Sequence, residues 1–398
     1  MSTRPAETPT IRRAPRTRPH APTRARDAPA RFGRVRQIDV LKGLAIIGVM
    51  FQHAFGDGFL QHSWEILYAG QAVPVFFVIM GLNAAQSLAR RAPRSLSDLY
   101  TRSYVRSRFE RLVVPILWVW PVALVVAMLV GEFHVGPLIL VGVLPISSAP
   151  GNYFVTILLE FAVVFPLVYW CFVRAPVLTT LVVAVADVGF ELLAPHTHVF
   201  NVNGPASGYI YEAAIVKYGL AIMAGVWLSR LHIGRRGFAL LTAGALVGVV
   251  YLVILHQDPG DFGWLVPSFS RSTNFISVVY ATWLTVAGLR LLPDRSANPL
   301  YGLLERLGRA SYHIFLVQIV WFGAVTTRSW WMAILGMAVC CMIGHAFYMA
   351  MSHGPVPAVL RRPQRALDRR RRAGGEHAGR DVPPHDRSGA DDGVVTDA

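Results

Sequence analysis

Apolar residues in this chain recur in blocks of about 18 to 22, the length a helix needs to cross roughly 30 Å of hydrocarbon. The blocks fall at about 38–56, 65–88, 112–131, 153–172, 177–194, 210–229, 238–256, 273–292, 311–327 and 330–351. Backbone groups in lipid must be satisfied within their own segment, so such blocks are helices. Composition agrees, with 54% of 398 residues hydrophobic and 15% charged, against about 25% charged in soluble domains. The expected fold class is all-α, a polytopic integral membrane helical bundle of about ten transmembrane helices. The stretch LILVGVLPI at 138–146 contains Gly and Pro and is too short to span, so it reads as a loop or a re-entrant piece.

The net charge of +15 would suggest nucleic acid in a soluble chain, but its distribution points to a bilayer. With ten spans, 34 basic residues fall on one side, and only Arg271 and Arg328 fall on the other. Such a split places both termini in the cytoplasm by the positive-inside rule and predicts a multi-pass inner (plasma) membrane protein. Lys occurs only at positions 42 and 217, and the preference for Arg reads as the codon usage of a GC-rich bacterial genome. Residues 1–37 are rich in Arg, Pro, Ala and Thr and read as a disordered basic segment. Residues 38–351 form the membrane domain, and 352–398 a basic, disordered cytoplasmic tail. The first span keeps Lys42 and lacks a small-residue cleavage site, so it reads as an uncleaved helix. Cys171, Cys340 and Cys341 show no CxxC spacing, and His196 and His198 have no third ligand in sequence, so no metal site is expected.

The first span, IDVLKGLAIIGVMFQH, carries ionisable groups that a bilayer penalises. Eleven residues on a helix rotate by about 1,100°, which leaves Lys42 and His53 about 20° apart and roughly 16 Å apart along the axis. Asp39 lies three residues before Lys42, within pairing reach. The result is a stripe with charge at one end and an imidazole deep in the span. Two readings of it stand side by side: charges that snorkel beside a histidine that bonds between helices, or a reactive track facing a wet interior.

Four motifs extend the pattern. Lys42 and His53 have the spacing of a basic residue and a histidine with ten positions between them; VPVFFVIMGL follows at 73–82, RFERLVVP at 108–115 and LGRASYHIFLVQ at 307–318. Together they resemble membrane acyltransferase family 3. Pro74, Phe76, Phe77, Gly81, Arg108, Arg111, Pro115, Leu307, Gly308, Ser311, Tyr312 and Leu316 match its motifs. Met80 stands where the family usually has Ser, Phe315 where it has Tyr, and Gln318 where it has His. The resemblance covers about residues 36 to 350. It implies acyl transfer, commonly acetyl, from acyl-coenzyme A to a hydroxyl of a glycan, a lipid-linked sugar or a glycosylated metabolite. No fused extracytoplasmic esterase-like domain is expected, so the bundle acts alone or with a separate partner protein.

The residue chemistry is compatible. Arg108, Arg111 and Lys42 are cations suited to the donor's phosphates, although plain positive-inside anchoring also accounts for the two arginines. His53 titrates near neutrality and is the candidate general base. Glu160, flanked by apolar residues, is a candidate to orient His53 or to contact the acceptor, with an interhelical hydrogen bond as the alternative. Lys217 and Glu212 read as a pair. A transporter or a non-catalytic envelope assembly protein would also use buried charge. The chain shows no inverted repeat, however, and an assembly role gives no reason for the Lys42–His53 stripe.

Overall fold

The structure, a computed structural model, describes residues 36–353 apart from 92, 132, 134–143, 147–148, 194–210, 232, 258–273 and 326–328. The expected terminal segments lie outside the described residues, as do His196, His198 and most of 138–146. The described residues are helical with no strand. In chain order the main helices are α1 (Arg36–Ala54), α2 (Ala72–Ala89), α3 (Arg102–Val130), α4 (Tyr153–Arg174), α5 (Pro176–Leu193), α6 (Ile215–Leu228), α7 (Arg235–Gln257), α8 (Val278–Leu291), α9 (Pro299–Ala324) and α10 (Trp330–His353).

Each apolar block of the sequence therefore lies on a helix. Six helical runs are long and apolar enough to cross a membrane: Glu65–Ala89, which ends in α2, together with α3, α4, α5, α7 and α10. α6 and α8 are apolar but shorter. α1 and α9 carry charged residues in their N-terminal halves. α9 begins at Pro299, well before its apolar run: the Asn298 side chain accepts from the Leu300 N–H, and proline at the first turn has no N–H to leave unpaired. α5, α7 and α10 turn large apolar side chains outward, among them Leu178, Val185, Leu240, Val247 and Met342, as lipid-facing helices do.

Lipid chains are as apolar as leucine, so helices in a bilayer associate through close packing and hydrogen bonds more than through burial. Glycines supply that closeness here. A Cβ added to Gly43 would collide with the Leu304 backbone, and one added to Gly308 with the Asp39 carbonyl, so α1 and α9 touch main chain to main chain. Gly81 and Gly225 bring α2 and α6 together in the same way.

Contacts along each pair give their relative directions. Gln37 bonds the Leu292 carbonyl (2.9 Å) while Leu41 lies over Gly288, so α1 and α8 are antiparallel. α9 and α10 are antiparallel too, with Gly344 against Ile314 and Gly336 against Trp321. α1 and α9 run parallel, since Gly43 meets Gly308 near one end and His53 meets Gln318 ten residues further along both.

Two helix starts inside the bundle receive three carboxyl groups from neighbouring segments. Glu160 of α4 accepts from the Ile215 N–H (2.9 Å) and Asp187 of α5 from the Leu220 N–H (2.8 Å), both in the first turns of α6. Glu191 accepts from the Phe275 N–H (3.3 Å), just before α8. Free N–H groups at a helix start attract negative charge, and in a membrane no bulk water serves instead. Lys217 pairs with Glu212 at 2.6 Å, as expected from sequence.

Gly308→Ala is expected to destabilise the protein by about 1–3 kcal/mol, because its Cβ meets backbone that cannot rotate away. Gly302→Ala, on the same helix with open space around it, should be neutral or stabilising by up to about 1 kcal/mol. Thermal unfolding of both variants in one detergent compares them directly, and equal shifts would rule out the proposed contact.

Candidate active site

The site lies along the α1–α9 seam. At its charged end Asp39 is buried, 3% exposed, and sits between Lys42 Nζ (3.5 Å) and Arg309 Nε (3.9 Å). Arg309 also pairs with Glu305, and Arg36 lies 3.9 Å from the same carboxylate. A buried carboxylate is tolerable only when paired, and here cations from two helices share it. Lys42 and Arg309 remain partly exposed, so positive charge faces outward around buried negative charge. Arg309 lies inside the LGRASYHIFLVQ motif and had no assigned role in the sequence reading. Its position next to Lys42 depends on the α1–α9 register.

About three turns along, His53 Nδ1 lies 2.7 Å from Gln318 Oε1 in a hydrogen bond. Gln318 is fully buried, and its amide nitrogen has no hydrogen-bond partner among the described residues. The imidazole is half-buried and meets a turn from the preceding loop. Gly151 holds φ +81°, a left-handed backbone that side chains disfavour, and a Cβ there would lie 3.0 Å from His53 Cε1. The next residue, Asn152, fastens the turn: its side chain accepts from the Leu144 N–H (3.2 Å) and donates to the Leu144 carbonyl (2.8 Å). Of the stretch expected to be a loop or re-entrant piece, the described end thus packs close to the imidazole.

Aromatic rings from three motif-bearing or adjoining helices meet one another beside the Gly151 turn. Phe315 meets Phe154 at 4.9 Å between centroids, and Phe154 in turn meets Phe77 (5.3 Å) and Phe76 (6.3 Å). The second and fourth sequence motifs are thus linked through Phe154, and the fourth meets His53 of the first through Gln318. Met80 packs half-buried against the apolar cluster of α2, α4 and α6.

The third motif occupies an irregular stretch of α3. Residues Phe109–Val113 form a π-helical turn, and the Tyr312 hydroxyl donates to the Leu112 carbonyl at 2.8 Å. Tyr312 is three residues from Arg309, so α9 ties the RFERL turn to the charged end of the seam. Arg108 lies over the Tyr104 ring (5.2 Å), which also receives Arg91 (5.4 Å). Arg111 is exposed on the turn.

Glu160 takes the interhelical hydrogen bond, the alternative to a place beside His53. Its described hydrogen bond is to the Ile215 N–H, and the imidazole's partner is Gln318. Sequence reasoning noted Gln318 only as a departure from the family motif, and it passed over one local signal, the Pro-Gly-Asn turn at 150–152. Asp187 and Glu191, four residues apart in α5, were also passed over, and they serve helix starts.

A family profile described as an acyltransferase domain, Acyl_transf_3, matches residues 35–351. No curated protein and no solved structure matches the chain. The matched region contains every residue of the α1–α9 seam, the aromatic wall and the RFERL turn, and on that match the chain belongs to acyltransferase family 3 and is a membrane acyltransferase.

Proposed function

We propose that the protein moves an acyl group, acetyl in the simplest case, from acyl-coenzyme A to a hydroxyl of a glycan, a lipid-linked sugar or a glycosylated metabolite, with His53 as general base. The observation that carries this reading is the parallel α1–α9 pair, which puts cations at one end of a seam and a hydrogen-bonded imidazole about 16 Å further along. The donor's phosphates bind at the cytoplasmic surface to Lys42, Arg108 and Arg111, where guanidinium forks suit phosphate oxygens. Its pantetheine arm follows the seam to His53. There the imidazole takes the hydroxyl proton as the acceptor oxygen attacks the thioester carbonyl. The C–S bond breaks, and the proton passes from His53 to the departing thiolate, giving free coenzyme A. The chain is placed in the inner (plasma) membrane in this reading.

Ten spans with cytoplasmic termini complete the reading. The charge split of the sequence supports it, and so do the helix directions: α1 parallel to α9 and antiparallel to α8 is what alternating passes produce. Reporter fusions after residues 62, 145, 203 and 264 are expected to report the outer side, and fusions after 97 and 234 the cytoplasm. A cytoplasmic signal at 203 would break the arrangement.

A general base contributes about 10² to 10⁴ in rate. His53→Gln keeps a polar side chain but cannot take the proton, so turnover should fall by at least the lower figure with donor affinity little changed. Turnover near the parent's would leave His53 as scaffold. Arg108→Ala combined with Arg111→Ala should weaken acyl-coenzyme A binding, measured by calorimetry in detergent, with membrane insertion intact. Unchanged binding would make the two arginines topological anchors only.

A further inference from the structure

An imidazole offers two nitrogens, and which one works as a base depends on what holds the other. The Gln318 Oε1 at 2.7 Å from His53 Nδ1 is an amide oxygen and has no proton to give. The proton in that bond belongs to His53, which donates from Nδ1. The neutral ring then carries its lone pair on Nε2, on the edge of the ring turned away from Gln318.

The surroundings of Gln318 argue against a role in packing alone. Its side chain is fully buried, between Phe315 and Ile319 on its own helix. Its Nε2 has no hydrogen-bond partner among the described residues, and a buried donor without one is unfavourable compared with an apolar side chain of the same volume. One half of the amide is satisfied, and that half is the one facing the imidazole. Gly151 lies against Cε1 of the same ring, so the ring is fixed in position while its Nδ1 proton is fixed by the amide.

We propose that Gln318 is a positioning residue: it holds His53 in the Nδ1–H form and thereby makes Nε2 the atom that takes the acceptor's proton. This rests on the reading of His53 as base. Gln318 touches neither donor nor acceptor in this role. It acts by excluding the other tautomer, in which Nε2 would carry a proton and have no lone pair to accept with. A neutral amide also adds no second titrating group beside the ring, unlike the histidine more usual at this position.

The test uses the full-length protein in lipid bilayers with ¹⁵N,¹³C-labelled histidine. Ring chemical shifts in solid-state NMR separate the two neutral tautomers, and the His53 signal is identified by its loss in His53→Gln. The unsubstituted protein should show His53 as Nδ1–H, and an Nε2–H form there overturns the proposal without any further variant. Gln318→Leu should lose the single Nδ1–H signal and lower kcat by between about tenfold and 10⁴-fold with little change in KM for the donor. Gln318→His, whose ring can present a lone pair to Nδ1–H, should recover most of that loss. It also serves if the Leu variant does not insert. A Leu variant that keeps both the Nδ1–H signal and its turnover overturns the positioning role. Loss of the tautomer signal with normal turnover, joined by normal turnover in His53→Gln, instead sinks the base reading. The two failures are therefore distinguishable.

Discussion

Backbone contact between α1 and α9 at Gly43 and Gly308 is the constraint on which the rest of the site depends. Helices that touch main chain to main chain cannot slide past one another without a clash, so the contact fixes register as well as distance. His53 and Gln318 are separated by 265 positions, and the same offset separates Gly43 from Gly308. Two parallel helices locked at one point thus bring a second pair together about 15 Å away. The Asp39 ion pairs hold the near end of the same seam. A shift of one residue would rotate each facing side chain by about 100° and break the His53–Gln318 bond.

The membrane also accounts for acids that would look catalytic in isolation. Asp187 and Glu191 are almost fully buried, a feature that marks many active sites. Their partners here are backbone N–H groups at and before the first turns of α6 and α8, as is that of Glu160. In water such helix starts are capped by their own serine or aspartate or by solvent. Within a bundle the neighbouring helix supplies the carboxylate. The carboxyl groups placed on α4 and α5 are therefore part of how α6 and α8 begin where they do.

These differences mark what a sequence can and cannot reveal. Helix placement was legible because apolar length is a local property, and each expected block lies on a helix. The Lys42–His53 stripe was legible because one helix's period relates them. The start of α9 at Pro299 was not, since its first three turns carry Glu305, Arg306 and Arg309 and fall outside an apolar run. Gln318 as the partner of His53 was not legible either: nothing short of the α1–α9 register joins positions 265 apart. Glu160 illustrates the converse. A carboxylate in an apolar segment calls for a partner, but the sequence does not say whether that partner is an imidazole or a peptide N–H.

The short helices have a consequence outside the protein. α8 has 14 residues and α6 is of similar length, so each rises about 21 Å, against roughly 30 Å of hydrocarbon. Among the helices packed beside them, α5, α7 and the run ending in α2 are long and apolar enough to match the full thickness. Hydrophobic mismatch of this kind is relieved by a local dip of the bilayer or by irregular chain entering it from one face. Where the bilayer dips, the lipid around α6 and α8 carries elastic stress that grows with acyl-chain length. Membrane thickness then becomes a variable coupled to the start of α6, which Glu160 and Asp187 hold in place.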